Sequence, residues 1–506
     1  MMEDTLAEID TKAEPIKRIL VPQRWITVFT IFFCLFNAFS MRVCLSIAIT
    51  KMVAQVGHQV KFANDTCPNR HNITTATDTN QINATSQTNQ LFDWSEYTQG
   101  VILSSFYWTY AVTNIVGGII VQKLGGKHTL GFGILFTAIL TLLTPASIMW
   151  GDSTALICVR VLMGLGEGST YPALNMLLSQ WVPPNERSKA GAVAFAGAPF
   201  GTIFSMSISG LILQNVHNGW PFVFYFFGCV GIVAFLINYA FCYNKPSENP
   251  YISEAESAYL NEKLKNTETD PPPTPWLCII TSKPVWALMI VTIGTAWAFT
   301  IISTDMPKYM SGVLKFSAKE NGYFSSMPYL AMWIFSFIAS FTADSVIAKE
   351  RMSITRVRKV AVTLSVMGPG IFTVVASYAG CNGVLFVILM TIGMAFKGCA
   401  YCSTMVNALD LAPNYAGALM GLVNGIGTFS GIFSPYFVGI LTPNQTISEW
   451  RLIFWTIFFV CTGSNIIYLI FGSGDVQDWN SPTASNKKQD ADDVDPKEVI
   501  QLLSTK

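Results

Sequence analysis

Residues 221–243 read Pro221-Phe-Val-Phe-Tyr-Phe-Phe-Gly-Cys-Val-Gly-Ile-Val-Ala-Phe-Leu-Ile-Asn-Tyr-Ala-Phe-Cys-Tyr243, twenty-three positions without a charge. As a helix this run is about 34 Å long, enough to cross the hydrocarbon of a bilayer. The next stretch, about 244–282, reverses in character: it is rich in Glu, Lys and Pro and contains Pro271-Pro272-Pro273. An apolar run followed by a long polar interruption in mid-chain implies a membrane protein divided into two halves.

Working outward, the same pattern recurs. Candidate spans fall at about 25–49, 97–122, 128–149, 154–180, 189–213 and 221–243 before the interruption. After it come 284–306, 320–344, 359–380, 383–409, 414–440 and 449–472. Hydrophobic residues make up 51% of the chain and charged residues only 12%, about half the share of a soluble domain. Lipid offers the backbone no water, so the spans must be helices packed on one another. The expected fold is all-α and polytopic, with twelve transmembrane helices in two six-helix halves, 25–243 and 283–474. A cytosolic linker (244–282) joins them, flanked by polar tails at 1–24 and 475–506. The first span is too long for a signal-peptide core, lacks a small-residue cleavage site and is expected to be retained. Thirty-one basic and 31 acidic residues leave no net charge and no nucleic-acid footprint.

Orientation follows from Lys and Arg. With a cytosolic N-terminus, the loops and tails on that side hold most of the basic residues, including Lys349, Arg351, Arg356, Arg358 and Lys359 between spans 8 and 9. Three glycosylation sequons, at Asn64, Asn72 and Asn83, then fall in the extracytosolic loop 51–95. Cys67 and Cys381 are both expected on that oxidising face, where they can pair or remain two exposed thiols. Cys399 and Cys402 form a CxxC pair within span 10, read as helix packing. The four histidines are expected in loops, and no phosphate-binding glycine loop, histidine cluster or nucleophile elbow occurs.

Ionisable groups inside hydrocarbon are the informative ones, because each costs at least about 2.5 kcal/mol to insert. Arg42 lies in span 1. Arg160 and Glu167 lie in span 4, seven residues apart and therefore on one helix face. Two such arginines can hold an anion between the halves, or Arg160 and Glu167 can pair structurally with neighbours. Lys397 in span 10 either faces the cavity or snorkels. Asp305, at the end of span 7, is read as a cap, a surface group or an ion ligand. Asp344 and Asp410 close spans 8 and 10 on the cytosolic side, where gate salt bridges or plain solvation would each suffice.

Several motifs carry a family resemblance. Gly117-Gly118 followed by Lys123-Leu-Gly125-Gly126-Lys127 resembles the loop 2–3 signature of the major facilitator superfamily. Arg42-Val-Cys-Leu-Ser46, Tyr97-Thr-Gln-Gly100, Arg160 through Pro172 and Trp181-Val-Pro-Pro-Asn-Glu-Arg187-Ser188 resemble its anion:cation symporter family. So do Glu320-Asn-Gly322 with Pro328-Tyr-Leu330, Leu409-Asp410-Leu-Ala-Pro413-Asn-Tyr-Ala-Gly417 and Gly474-Asp-Val-Gln-Asp-Trp479. The resemblance runs in order over about 25–480. It extends to sialin, the vesicular glutamate transporters and the type I sodium–phosphate cotransporters, and most to invertebrate proteins described as inorganic phosphate cotransporters.

The resemblance implies an anion transporter, not an enzyme, working without a cofactor beyond a coupling Na+ or H+. With these motifs and the ionisable groups above, substrate contact is expected at Arg42 and Arg160, coupling at Glu167, Asn175 and Lys397, and gating at Gly118, Lys123, Gly126, Lys127, Asp344 and Asp410. Departures from the pattern bear on the driving ion. Proton-coupled members show Arg-x-x-Glu-Gly-x-Gly-Glu in span 4, where this chain has Met163 for the first Glu. Asn175, Ala408 and Leu103 replace histidines, and Thr295 replaces the glutamate branch's extra Arg. The expectation is therefore sodium-driven symport of inorganic phosphate or a small organic anion by a monomer in the plasma membrane. The alternatives are proton-coupled lysosomal export of acidic sugars or amino acids, and a non-transporting receptor on the same fold. In the C-terminal tail, Glu498 four residues before Leu502-Leu503 resembles the dileucine signals read by clathrin adaptors, which would direct the chain to endosomal or lysosomal membranes.

Overall fold

The computed structural model describes residues 21–53, 65, 67–68, 92–183, 186–264 and 274–480. The sequons at Asn64, Asn72 and Asn83 and the motif Glu498, Leu502, Leu503 lie outside the described residues.

The N-terminal half comprises α1 (Gln23–Met52), α2 (Glu96–Leu124), α3 (Gly126–Glu167), α4 (Thr170–Trp181), α5 (Arg187–Phe195), α6 (Gly197–Asn215) and α7 (Trp220–Phe241). The linker contributes α8 (Glu254–Leu264) and α9 (Trp276–Thr281). The C-terminal half follows with α10 (Lys283–Thr304), α11 (Met306–Gly312), α12 (Ala318–Ala348), α13 (Ile354–Ser377), α14 (Gly383–Lys397), α15 (Thr404–Leu411), α16 (Ala416–Leu441) and α17 (Ile447–Phe471).

Among the described residues, ten helical units are long and apolar enough to cross a membrane. One of them, Gly126–Trp181, has 56 residues and folds back at Gly151–Asp152, so it crosses twice. Asp152 takes φ 51° there, and its carboxylate accepts a 2.7 Å hydrogen bond from the Trp94 indole. Helix α2 adds the remaining crossing: its Ser, Thr, Tyr and Asn content keeps its hydropathy low, but Ser104, Ser105 and Asn114 are buried inside the protein. Twelve crossings result. Helix α7 has one face in the protein and one outside it: Phe224, Phe227 and Ala234 are buried, while Phe222, Val233 and Leu236 are exposed, as an apolar face turned to lipid would be.

The halves meet along two seams, α2 against α16 and α6 against α12. Small residues allow this near the first turns of α2 and α12. A Cβ on Gly100 would stand 2.6 Å from the Pro435 carbonyl oxygen, and one on Gly210 2.7 Å from that of Ala318. Toward the other end of α2 and α16, a Cβ at Gly118, Gly417 or Gly421 would meet nothing within 4 Å. The halves are therefore in contact at the end of the bundle where Gly100 and Gly210 lie.

Three details differ from the sequence reading. Span 7 does not stop near 306: it continues past Asp305 into α11, because Pro307 at the second position of that helix needs no N–H partner. His128 lies in the first turn of α3, stacked on Phe132, and not in a loop. The first residues of the C-terminal tail are docked. Gln477 donates to the Leu411 carbonyl at 2.9 Å, and Asn414 bonds Asn480 through its N–H and its amide.

The first part of the linker is held by the half it adjoins. Helix α1 begins after Pro22 without a side-chain cap of its own, and Glu256 of α8 accepts from the Gln23 and Arg24 amides at 2.9 and 3.2 Å. A carboxylate at a helix N-terminus is favoured by the exposed amides and the macrodipole. Arg24 completes the joint by pairing with Glu256 at 3.1 Å and with Glu186 at 2.9 Å.

Candidate functional site: a buried arginine–glutamate pair

The site is built where α1, α2 and α3 pack. Gly164 of α3 fits because a Cβ there would stand 2.0 Å from the Phe106 carbonyl oxygen of α2. Thr109 reinforces the contact by donating to the Val161 carbonyl. This close approach brings Glu167, the last residue of α3, to Arg42 on α1. Arg42 Nη2 lies 2.8 Å and Nε 3.3 Å from the same oxygen, Glu167 Oε2. Glu167 is fully buried, and the Arg42 side chain is 10% exposed.

Aromatic rings surround the guanidinium. Its central carbon lies 4.6 Å from the Phe39 centroid, 4.6 Å from Phe106 and 4.5 Å from Tyr110. Ring faces attract a cation and exclude water, so they supply part of what solvent would give it. Arg160 lies alongside, 5.2 Å from the Phe106 centroid, with Nη2 donating to the Arg42 carbonyl at 3.4 Å. Among the described residues Arg160 Nε and Glu167 Oε1 are buried without a hydrogen-bond partner. Two cations and one anion thus share a low-dielectric site, and a donor and an acceptor remain free.

Other candidates are placed separately. Asn175, two turns beyond Glu167 along α4, is exposed. Lys397 ends α14, where the helix tightens into the 3-10 turn Gly398–Cys402; it is 7% exposed and has no acidic partner among the described residues. Cys402 Sγ donates to the Cys399 carbonyl in that turn. Asp410 is clamped by Arg358 of its own half, Nε to Oδ2 at 2.6 Å and Nη2 to Oδ1 at 3.2 Å. Asp344 is exposed, so neither aspartate bridges the halves in this conformation. At the loop between α2 and α3, Lys123 and Gly118 are exposed, and Gly126 packs on Leu177. The Lys127 amide donates to Asn244 at 2.9 Å, and its ammonium lies 4.2 Å from the Tyr243 centroid. Cys67 and Cys381 are bonded, with their Cα atoms 5.5 Å apart. Leu103 is buried in the apolar core, and Thr295 presents a buried hydroxyl without a partner among the described residues.

Sequence reasoning missed the aromatic enclosure, since Phe39, Phe106 and Tyr110 look like any apolar helix positions. It also missed a second buried charge cluster. Lys308 Nζ on α11 lies 3.3 Å from Asp305 Oδ1 and 3.4 Å from Glu96 Oε2 on α2. The signal was present in Asp305-Met-Pro-Lys308, an i,i+3 acid–base pair astride a helix start.

The Major Facilitator Superfamily model matches residues 28–435. A Drosophila melanogaster protein named "Putative inorganic phosphate cotransporter" is 37% identical over 476 residues, covering 92% of this chain and 88% of its own. Human sialin is 36% identical over 449 residues, covering 88% and 89%. The inward-facing, occupied crystal structure of a bacterial homologue of the human lysosomal transporter Spinster superposes with TM-score 0.63 at 12% identity, covering 89% of this chain and 97% of that one. The chain belongs to the Major Facilitator Superfamily of membrane transporters, within its anion:cation symporter family.

Proposed function

We propose that the chain carries a small anion, inorganic phosphate or a small organic anion, by alternating access, with a sodium gradient as the driving force. The observation that carries this reading is that Glu167 occupies Arg42. An anion arriving from solvent competes with that carboxylate for the guanidinium, while a cation that neutralises Glu167 releases Arg42 to the anion. Each ligand therefore favours the other's binding, which is the reciprocity that symport requires. Arg160, with an unpartnered Nε, supplies a second donor. Sodium is preferred because most of the family's titratable positions here hold Met163, Asn175, Ala408 and Leu103.

A second reading, proton coupling, is favoured by one observation. Glu167 is a single carboxylate with one unpartnered oxygen. That suffices for a proton, whereas sodium sites are built from several oxygens, often carbonyls of unwound helix. Uptake of labelled phosphate and of a panel of carboxylates into proteoliposomes decides between them. A sodium gradient should drive accumulation, and accumulation after a pH step in sodium-free buffer selects the proton. Absence of uptake of any anion under either gradient selects the non-transporting receptor. Residence at the plasma membrane is the accompanying proposal. If surface biotinylation rises when Leu502 and Leu503 are changed to Ala, the tail directs the chain inward to endosomal or lysosomal membranes.

A further inference from the structure

The extracytosolic closure contains an electrostatic element that the Arg42–Glu167 site does not use. Lys308 is 4% exposed and Asp305 fully buried, both in the C-terminal half. Glu96 belongs to the first turn of α2 in the N-terminal half. Among the described residues, Lys308–Glu96 is the ion pair that joins the two halves. It lies on the face where Gly100 meets Pro435 and where the Tyr97 and Tyr436 rings approach to 5.4 Å.

We propose that Glu96, Lys308 and Asp305 form the latch of the outer gate, with Lys308 shared between a resident acid, Asp305, and an exchangeable acid, Glu96. The geometry suits a contact that must break in every cycle. When the halves part outside, Lys308 keeps Asp305 at 3.3 Å, so the ammonium is not left alone in a dry site. Asp305 keeps the Thr304 hydroxyl, which donates to its Oδ2 at 2.5 Å. Helix α11 stays attached to its own half because the Asn321 amide donates to the Pro307 carbonyl at 2.9 Å. Glu96 retains a 3.0 Å bond from Gln99 and the favourable field of a helix N-terminus. Every charge has a partner in the open state, and one ion pair is gained on closing. The latch thus biases the equilibrium between the two states without blocking either.

The test is amide hydrogen exchange by mass spectrometry on the full chain in lipid nanodiscs, which needs no knowledge of the substrate. Glu96→Gln keeps shape and removes the exchangeable charge. It should speed exchange about three- to tenfold at the outer ends of α2 and α16 and slow it at their cytosolic ends, as the population moves outward-open. The double variant Lys308→Gln with Asp305→Asn, which leaves no buried charge unpaired, should give the same opposed shifts. Glu320→Gln, an acid on the same face but confined to the α12 capping box, should not. Unchanged exchange on both faces, or acceleration of both faces alike, overturns the latch.

Discussion

Replacing Glu167 by Gln tests the central pair most directly. The variant keeps the side-chain shape but removes the charge 2.8 Å from Arg42 Nη2. Breaking a fully buried ion pair costs about 3–5 kcal/mol in soluble proteins, chiefly because the surviving charge is stranded. Here Arg42 is not stranded in hydrocarbon, since three ring centroids lie at 4.5–4.6 Å. Each desolvated cation–π contact is worth about 1–2 kcal/mol, and the Gln carbonyl can still accept. A net destabilisation of about 2 kcal/mol is the expected result, which leaves the protein folded. Anion binding should strengthen, because the competing carboxylate is gone. A coupling of about 1.5–2.5 kcal/mol corresponds to a roughly 10- to 70-fold lower Kd. Net accumulation should vanish while anion exchange between the two sides persists, since the cation no longer has a charge to neutralise. Binding by scintillation proximity and counterflow in proteoliposomes measure both. Weaker anion binding at equal folded fraction would refute the idea that Glu167 withholds Arg42 from substrate.

Arg160→Lys should lower uptake at least tenfold at equal expression, because an ammonium cannot reproduce a planar fork that reaches the Arg42 carbonyl while presenting Nε; wild-type kinetics would exclude direct substrate contact. Gly164→Val should lower the melting temperature in detergent and abolish the Arg42–Glu167 contact, since even a Cβ would stand 2.0 Å from the Phe106 carbonyl oxygen, and overpacking of this kind costs about 1–3 kcal/mol or more. Cys67 and Cys381 should resist maleimide in intact, unreduced cells and label after reduction; labelling without reductant would show two free thiols.

The fold was legible because a bilayer imposes one length scale and one secondary structure. Uninterrupted apolar runs such as 221–243 marked nearly every crossing. Span ends were less legible where polar residues hide in the protein. The charged Asp305 and Lys308 looked like the end of a span, yet they pair at 3.3 Å and the helix carries on as α11. Within the site, Arg42, Arg160 and Glu167 stood out because charge in hydrocarbon needs a reason. Their mutual pairing did not, because contacts between α1 and α3 depend on the approach that Gly164 permits to α2. Lys397 and Asn175, expected as coupling residues, lie at the end of α14 and on an exposed face of α4.

The bond between Cys67 and Cys381 has a consequence for the covalent topology. Its partners are 314 positions apart in the chain. The disulfide therefore closes a covalent ring that contains the linker and runs through both halves, with the first helix and the last helices as free arms. Cutting the linker opens this ring but does not divide the protein: the halves stay tethered outside, at an effective concentration that favours reassociation. A linker-cleaved molecule would migrate as one polypeptide without reductant and as two fragments with it. In a reducing compartment the linker would be the sole covalent joint between the moving parts.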